Sequence, residues 1–199
     1  MLGSRGLLLA STNPGKIREI LRVLHGLPVE LTTLPDHPPV AEPEETGLTF
    51  EANAELKARY YADATGLVTV AEDSGLAIDA LGGRPGVESA RYPGETYAEK
   101  FANLYRELTP CPQPWTARFV CALAVAAPGA RPLRFACSAA VEGEIAPAGR
   151  GAHGFGYDPI FFYPPYGLTL GEADDAQKLA VSHRGQAFRA LRRWLETRE

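Results

Sequence analysis

Apolar and polar positions alternate along the chain in blocks that predict strands and helices by turns. Residues 7–11 read as a short apolar strand, a polar turn follows, and residues 14–25 read as a helix. A strand over 29–34 and a long helix from about 49 to 65 come next. In that helix Phe50, Ala54, Ala58 and Tyr61 share one stripe by their spacing, which leaves Glu51, Glu55 and Arg59 on another. A strand over 68–71, a turn through Asp73-Ser74-Gly75 and a strand over 76–81 are expected after it. Thr96 and Glu99 form a capping box that opens a helix ending near 108. Two long runs, 117–127 and 133–145, are joined by Pro128-Gly129-Ala130-Arg131 and predict a β-hairpin. A glycine-rich, aromatic loop over 149–167 precedes a final helical region whose stripe is Phe188, Leu191 and Leu195. Residues 34–43, rich in proline, read as a surface loop. The order predicts an α/β fold, and with no repeat or linker the economical expectation is one domain over 1–199.

Composition narrows the partners. With 199 residues and 45% hydrophobic content the chain can bury a sizeable core. A net charge of −4, with no basic run longer than Arg192-Arg193, argues against a long polyanion such as nucleic acid but leaves room for a small anion. Cys111, Cys121 and Cys137 make neither a CxxC pair nor an even set, so they read as reduced thiols of a cytoplasmic protein. The first apolar run is too short for a signal segment, and no stretch approaches eighteen apolar residues, so no membrane span is expected.

Four clusters could carry chemistry. In the first turn Asn13 suits an N-cap, Pro14 the first helical position, and Lys16 then falls in the first helical turn, where a cation opposes the helix dipole. An anion would relieve that conflict; a solvated Lys on an ordinary cap fits the same residues. The turn is not a Walker loop, because Ala10 and Ile17 stand where that pattern needs Gly and a hydroxyl. Next, Glu72 and Asp73 close an apolar strand, where ligands bind in α/β sheets, and oxygen ligands of this kind suit Mg²⁺. Both acids serve one site only if the chain turns at Ser74-Gly75; a solvated acidic turn is the plainer reading. Glu44 and Glu45 precede the helix that carries Lys57, and could equally be acids that favour a helix amino terminus. Third, Phe155 and Tyr157 flank Gly156 after Gly154 and could clasp a flat base, with Asp158 at its edge, or could plug a core. Last, Lys178 with Ser182-His183-Arg184-Gly185 offers donors that suit a 6-oxo purine edge, or else a surface cluster at a helix end.

Six blocks in register give the chain a specific likeness. They are Ser11-Thr12-Asn13-Pro14-Gly15-Lys16 with Glu19; Glu44 to Gly47, then Thr49 to Ala54 with Lys57-Ala58; Glu72 to Leu76; Pro85-Gly86 with Ser89 to Tyr92; Gly154 to Phe161; and Ser182 to Gly185. Across nearly its whole length the chain resembles the inosine-triphosphate pyrophosphatase family, in its bacterial dITP/XTP pyrophosphatase branch. The resemblance implies an α/β fold with an elongated, twisted mixed sheet flanked by helices, and two lobes around a central cleft. It implies Mg²⁺-dependent hydrolysis of ITP, dITP and XTP to the monophosphate and pyrophosphate by a homodimer, clearing the nucleotide pool before misincorporation. Carried over by position, Ser11, Thr12, Asn13, Pro14, Gly15, Lys16 and Lys57 would hold the phosphates. Asp73 would be general base and metal ligand, with Glu72 and Glu44 or Glu45 completing the metal environment. Ser74 would touch the substrate, Phe155, Gly156 and Tyr157 would enclose the base, and Asp158, Lys178, His183 and Arg184 would surround its edge and sugar. Two departures are Tyr157, where some relatives have Trp, and the run Asp175-Ala176-Gln177-Lys178-Leu179. A Maf-like pyrophosphatase and a non-catalytic nucleotide- or RNA-binding module are the competing readings; the Ser182–Gly185 block argues against the first and the Glu72-Asp73 pair against the second.

Overall fold

A computed structural model describes residues 6–130 and 132–197. Strand β1 (Leu7–Leu9), helix α1 (Pro14–Leu24), strand β2 (Leu31–Thr33), helix α2 (Phe50–Thr65) and strand β3 (Val68–Ile78) follow in order. Helix α3 (Tyr97–Leu108), strands β4 (Thr116–Ala126) and β5 (Phe135–Ile145), strands β6 (Phe161–Tyr163) and β7 (Leu168–Thr169), and helices α4 (Asp175–Val181) and α5 (His183–Glu196) complete it. The strands form one seven-stranded mixed sheet in the order β2-β1-β3-β4-β5-β6-β7. β1 lies parallel to both β2 and β3, with Leu9 opposite Thr33 and Val70, whereas β6 is antiparallel to β5 and β7. The α/β expectation holds, as do both long runs; Arg131, in the turn expected between them, lies outside the described residues.

Two compact units divide the chain. The first is drawn from Met1–Asp73, Cys121–Ala139 and Arg184–Glu199. Its strand order has a chemical consequence. The β1-α1-β2 crossover moves outward and the β2-α2-β3 crossover moves back past β1, so right-handed connections put α1 and α2 on opposite faces of the sheet. The α2 face is close-packed by small residues: Ala54, Ala58 and Ala62 meet Ala71, Ala122 and Ala124, with Tyr61 filling the remaining space. The second unit, Ser74–Val120 with Ala140–His183, has its own core of Leu76, Leu104, Leu108, Trp115, Val141, Phe161 and their neighbours.

One expectation is corrected. No turn interrupts residues 68–78: β3 runs unbroken from Val68 to Ile78, and a 3₁₀ turn, Asp79–Leu81, stands where the second strand was expected to end. Gly75 is a site of close approach, not a turn former. A Cβ there would lie 2.4 Å from Ser89 Oγ and 2.5 Å from the Gly86 carbonyl oxygen. Ser89 Oγ accepts from the Leu76 amide at 2.9 Å and donates to the Gly86 carbonyl at 2.6 Å, which staples the neighbouring segment to the strand. Gly75→Ala is therefore expected to cost about 1–3 kcal/mol of stability by overpacking, read from the urea midpoint.

Candidate active site

In the first unit the chain leaves β1 and enters α1 as the cap chemistry dictates. Asn13 Oδ1 accepts from the Lys16 amide at 3.1 Å and Pro14 occupies the first turn, while Thr12, Asn13 and Pro14 stay exposed, Gly15 is buried and Ser11 is half-buried. The Lys16 ammonium reaches back to Glu72 Oε1 at 2.8 Å. Arg184, in the first turn of α5, sits 3.5 Å from the same oxygen and donates to Glu19 Oε2 at 2.7 Å. Cys121 Sγ donates to Glu72 Oε2 at 3.5 Å. Burial by itself would raise the Glu72 carboxyl, yet Lys16 and Arg184 beside it hold it well below the usual carboxylate range. Burial, with the Glu72 charge beside it, pushes the Cys121 thiol up, so it stays a neutral donor.

Asp73 belongs to the other face. Along an unbroken strand neighbouring side chains point oppositely, so Glu72 meets α1 and α5 while Asp73 meets α2. Asp73 Oδ1 lies 3.2 Å from Lys57 Nζ, and its Oδ2 accepts from Asn53 Nδ2 at 3.1 Å. Glu45 also bonds the Lys57 ammonium, whereas Glu44 is exposed. Burial, with Glu45 nearby, raises the Asp73 carboxyl against the pull of Lys57 and Asn53. Burial disfavours the Lys57 charge, but Asp73 and Glu45 outweigh it and raise the ammonium above its ordinary value. The turn expected to bring both acids to one side is absent, so Glu72 and Asp73 lie on opposite faces of β3.

Charge shows where a cation fits. Glu72 and Glu19 face Lys16 and Arg184, whereas Glu45 and Asp73 both reach the ammonium of Lys57. Among the described residues no three His, Cys, Asp or Glu side chains gather closely enough to hold a metal by themselves. Mg²⁺ takes one or two carboxylates and completes its shell with substrate phosphates and water. Glu45 and Asp73 are the pair that fits it.

The second unit holds the aromatic loop. Gly154 has φ +73°, and a Cβ there would lie 2.2 Å from Asp158 Oδ2, so only glycine lets the carboxylate fold back under the loop. Asp158 Oδ2 accepts from the Phe155 amide at 2.7 Å and from Lys178 Nζ at 2.6 Å. The Lys178 ammonium stands 4.4 Å from the centroid of the Phe155 ring. Phe155 and Gly156 are half-buried. Tyr157 is not: it is 4% exposed, its hydroxyl donates to the Ser89 carbonyl at 2.8 Å, and its ring meets Tyr97 edge-on at 5.3 Å. Of the two rings expected to clasp a base, Phe155 is half-buried and Tyr157 is packed into the core. His183 is buried and stacks on Phe119 at 4.9 Å, and Ser74 is half-buried on β3.

Sequence reasoning left Asn53, Phe119 and Cys121 without a site role, and placed Glu19 only in the phosphate-turn block. Asn53 carried a usable signal, since it lies four residues before Lys57 and so on the same helical stripe, where a buried amide needs partners.

The Ham1 family model matches residues 7–194. The chain is 46% identical over 189 residues to the dITP/XTP pyrophosphatase of Geobacter sulfurreducens, covering 94% of each. It is 47% identical over 194 residues to the dITP/XTP pyrophosphatase of Nitratidesulfovibrio vulgaris, covering 93% of each. Among solved structures it resembles a HAM1 protein from Coxiella burnetii, with TM-score 0.88 and 39% identity over 97% of this chain and 99% of that one.

Proposed function

Because the chain belongs to the Ham1 family, we propose that it hydrolyses deaminated purine nucleoside triphosphates, ITP, dITP and XTP, to the monophosphate and pyrophosphate with Mg²⁺. The observation that carries this reading is the convergence of Glu45 and Asp73 on the Lys57 ammonium, with Asp73 in the middle of β3 and Lys57 on the helix packed against it. The names of the similar enzymes, dITP/XTP pyrophosphatases, support the substrate class.

Each side chain then has a task. Thr12, Asn13 and the amino terminus of α1 meet the phosphates, because that helix end presents amide hydrogens and partial positive charge. Lys16 and Lys57 offset charge developing on the pyrophosphate leaving group. Asp73 takes the proton from the water that attacks the α-phosphorus. Glu72 keeps Lys16 and Arg184 in place and is not itself a metal ligand. Mg²⁺, when held by Glu45 and Asp73, supplies charge neutralisation at the phosphates. Phe155 stacks on the base, and Lys178, fixed by Asp158, lies beside that ring. Arg184 has only donors and His183 can donate from a ring nitrogen, which suits the 6-oxo acceptor of hypoxanthine or xanthine over the 6-amino group of adenine. We further propose that the enzyme works on free nucleotides in the cytoplasm as a homodimer.

Steady-state kinetics on ITP and ATP test the base reading. A mismatched buried donor costs about 1–3 kcal/mol, so kcat/KM for ITP is expected to exceed that for ATP by about 10-fold or more. Equal values for the two would contradict it.

A further inference from the structure

We propose that Asn53 is a positioning residue that holds Asp73 and the Glu45 segment in one geometry; this rests on the reading of Glu45 and Asp73 as the metal and proton-transfer pair. Asn53 lies in the first turns of α2 and is fully buried, so its amide must be satisfied inside the protein. It is satisfied on both sides. Its Nδ2 donates to Asp73 Oδ2 at 3.1 Å, and its Oδ1 accepts from the Gly47 amide at 2.7 Å. The reversed amide would set donor against donor at Gly47 and acceptor against acceptor at Asp73, so these two partners fix its orientation.

Two consequences follow for the site. Asp73 Oδ2 is committed to Asn53, and Oδ1 is left facing Lys57 at 3.2 Å, toward the ammonium that Glu45 also bonds. Gly47 stands two residues after Glu45, so anchoring its amide anchors that segment. The fit there is tight: a Cβ on Gly47 would lie 2.5 Å from Asn53 Oδ1 and 2.9 Å from Ala52 Cβ, which reserves the position for glycine. A single amide thus sets both carboxylates without touching the reacting atoms.

Three variants test this. Asn53→Leu removes both hydrogen bonds at similar volume. Asn53→Asp keeps the acceptor for Gly47 and loses the donor for Asp73. Ala62→Gly weakens the same helix away from Asp73 and controls for lost stability. Mn²⁺ alone, titrated by electron spin resonance without nucleotide, is expected to bind Asn53→Leu about 10- to 100-fold more weakly than wild type. With ITP, kcat is expected to fall about 10- to 100-fold in both Asn53 variants while KM stays within about threefold. Ala62→Gly lowers the melting temperature but keeps wild-type Mn²⁺ affinity and kcat. Wild-type Mn²⁺ affinity in Asn53→Leu, wild-type kcat in Asn53→Asp, or an equal kcat loss in Ala62→Gly would overturn the assignment. If wild-type protein releases no pyrophosphate from ITP, the substrate reading fails while the Mn²⁺ titration still decides the role of Asn53.

Discussion

Replacing Asp73 by Asn is expected to lower kcat for pyrophosphate release from ITP by on the order of 10² to 10⁴, the scale of losing a general base. Asn has the same shape and can still accept from Asn53, and Lys57 keeps its bond to Glu45, so the surroundings survive the change. What disappears is the negative charge that takes a proton and attracts a cation. The loss should therefore appear in kcat, with the melting temperature within a few degrees of wild type. Turnover within about threefold of wild type would remove Asp73 from the role, because such a residue cannot supply the factor expected of a base.

Glu72→Ala acts on the other face of the same strand and is expected to act on stability. The Glu72 side chain is 1% exposed and balances Lys16 and Arg184, itself buried. Removing it takes away the carboxylate that Lys16 and Arg184 share and leaves Glu19 alone beside Arg184, and breaking a buried pair in this way costs about 3–5 kcal/mol. At an m-value of about 1–3 kcal/mol/M that moves the urea midpoint by more than about 1 M. The pH dependence has a definite sign. The folded protein holds the Glu72 carboxyl below its ordinary value of 4.5, so protons bind the unfolded chain first. The stabilisation is fully present above that ordinary value and is lost as pH falls below it. Urea midpoints measured from neutral pH down to about pH 3 should thus fall more steeply for wild type than for Glu72→Ala. A variant with the wild-type midpoint at neutral pH would refute the balancing role.

What could be read from the sequence was mostly local chemistry. Asn13 with Pro14 and the Thr96–Glu99 box marked helix starts because a cap is set by neighbours within three residues, and both caps are present in the structure. The long strands were visible as apolar runs. Gly75 misled because its reason lies fourteen residues away, in Ser89, and a glycine needed for close approach looks in sequence like one needed for a turn. Without that turn, pleating sends Glu72 to the face of Lys16 and away from Asp73. Tyr157 was ambiguous for the same reason, since only Ser89 and Tyr97 make it a core residue. Glu44 and Glu45 are indistinguishable by composition, and the reach to Lys57 separates them.

Product analysis tests the central claim most directly. Purified protein, ITP and Mg²⁺ are incubated, and pyrophosphate, orthophosphate and nucleotides are quantified together. A pyrophosphatase that cleaves at the α-phosphorus yields pyrophosphate and IMP in equal amounts, and the reaction stops when the metal is chelated. Orthophosphate with IDP as the products would place the attack at the γ-phosphorus and contradict the arrangement of Asp73, Lys16 and Lys57 proposed for this site.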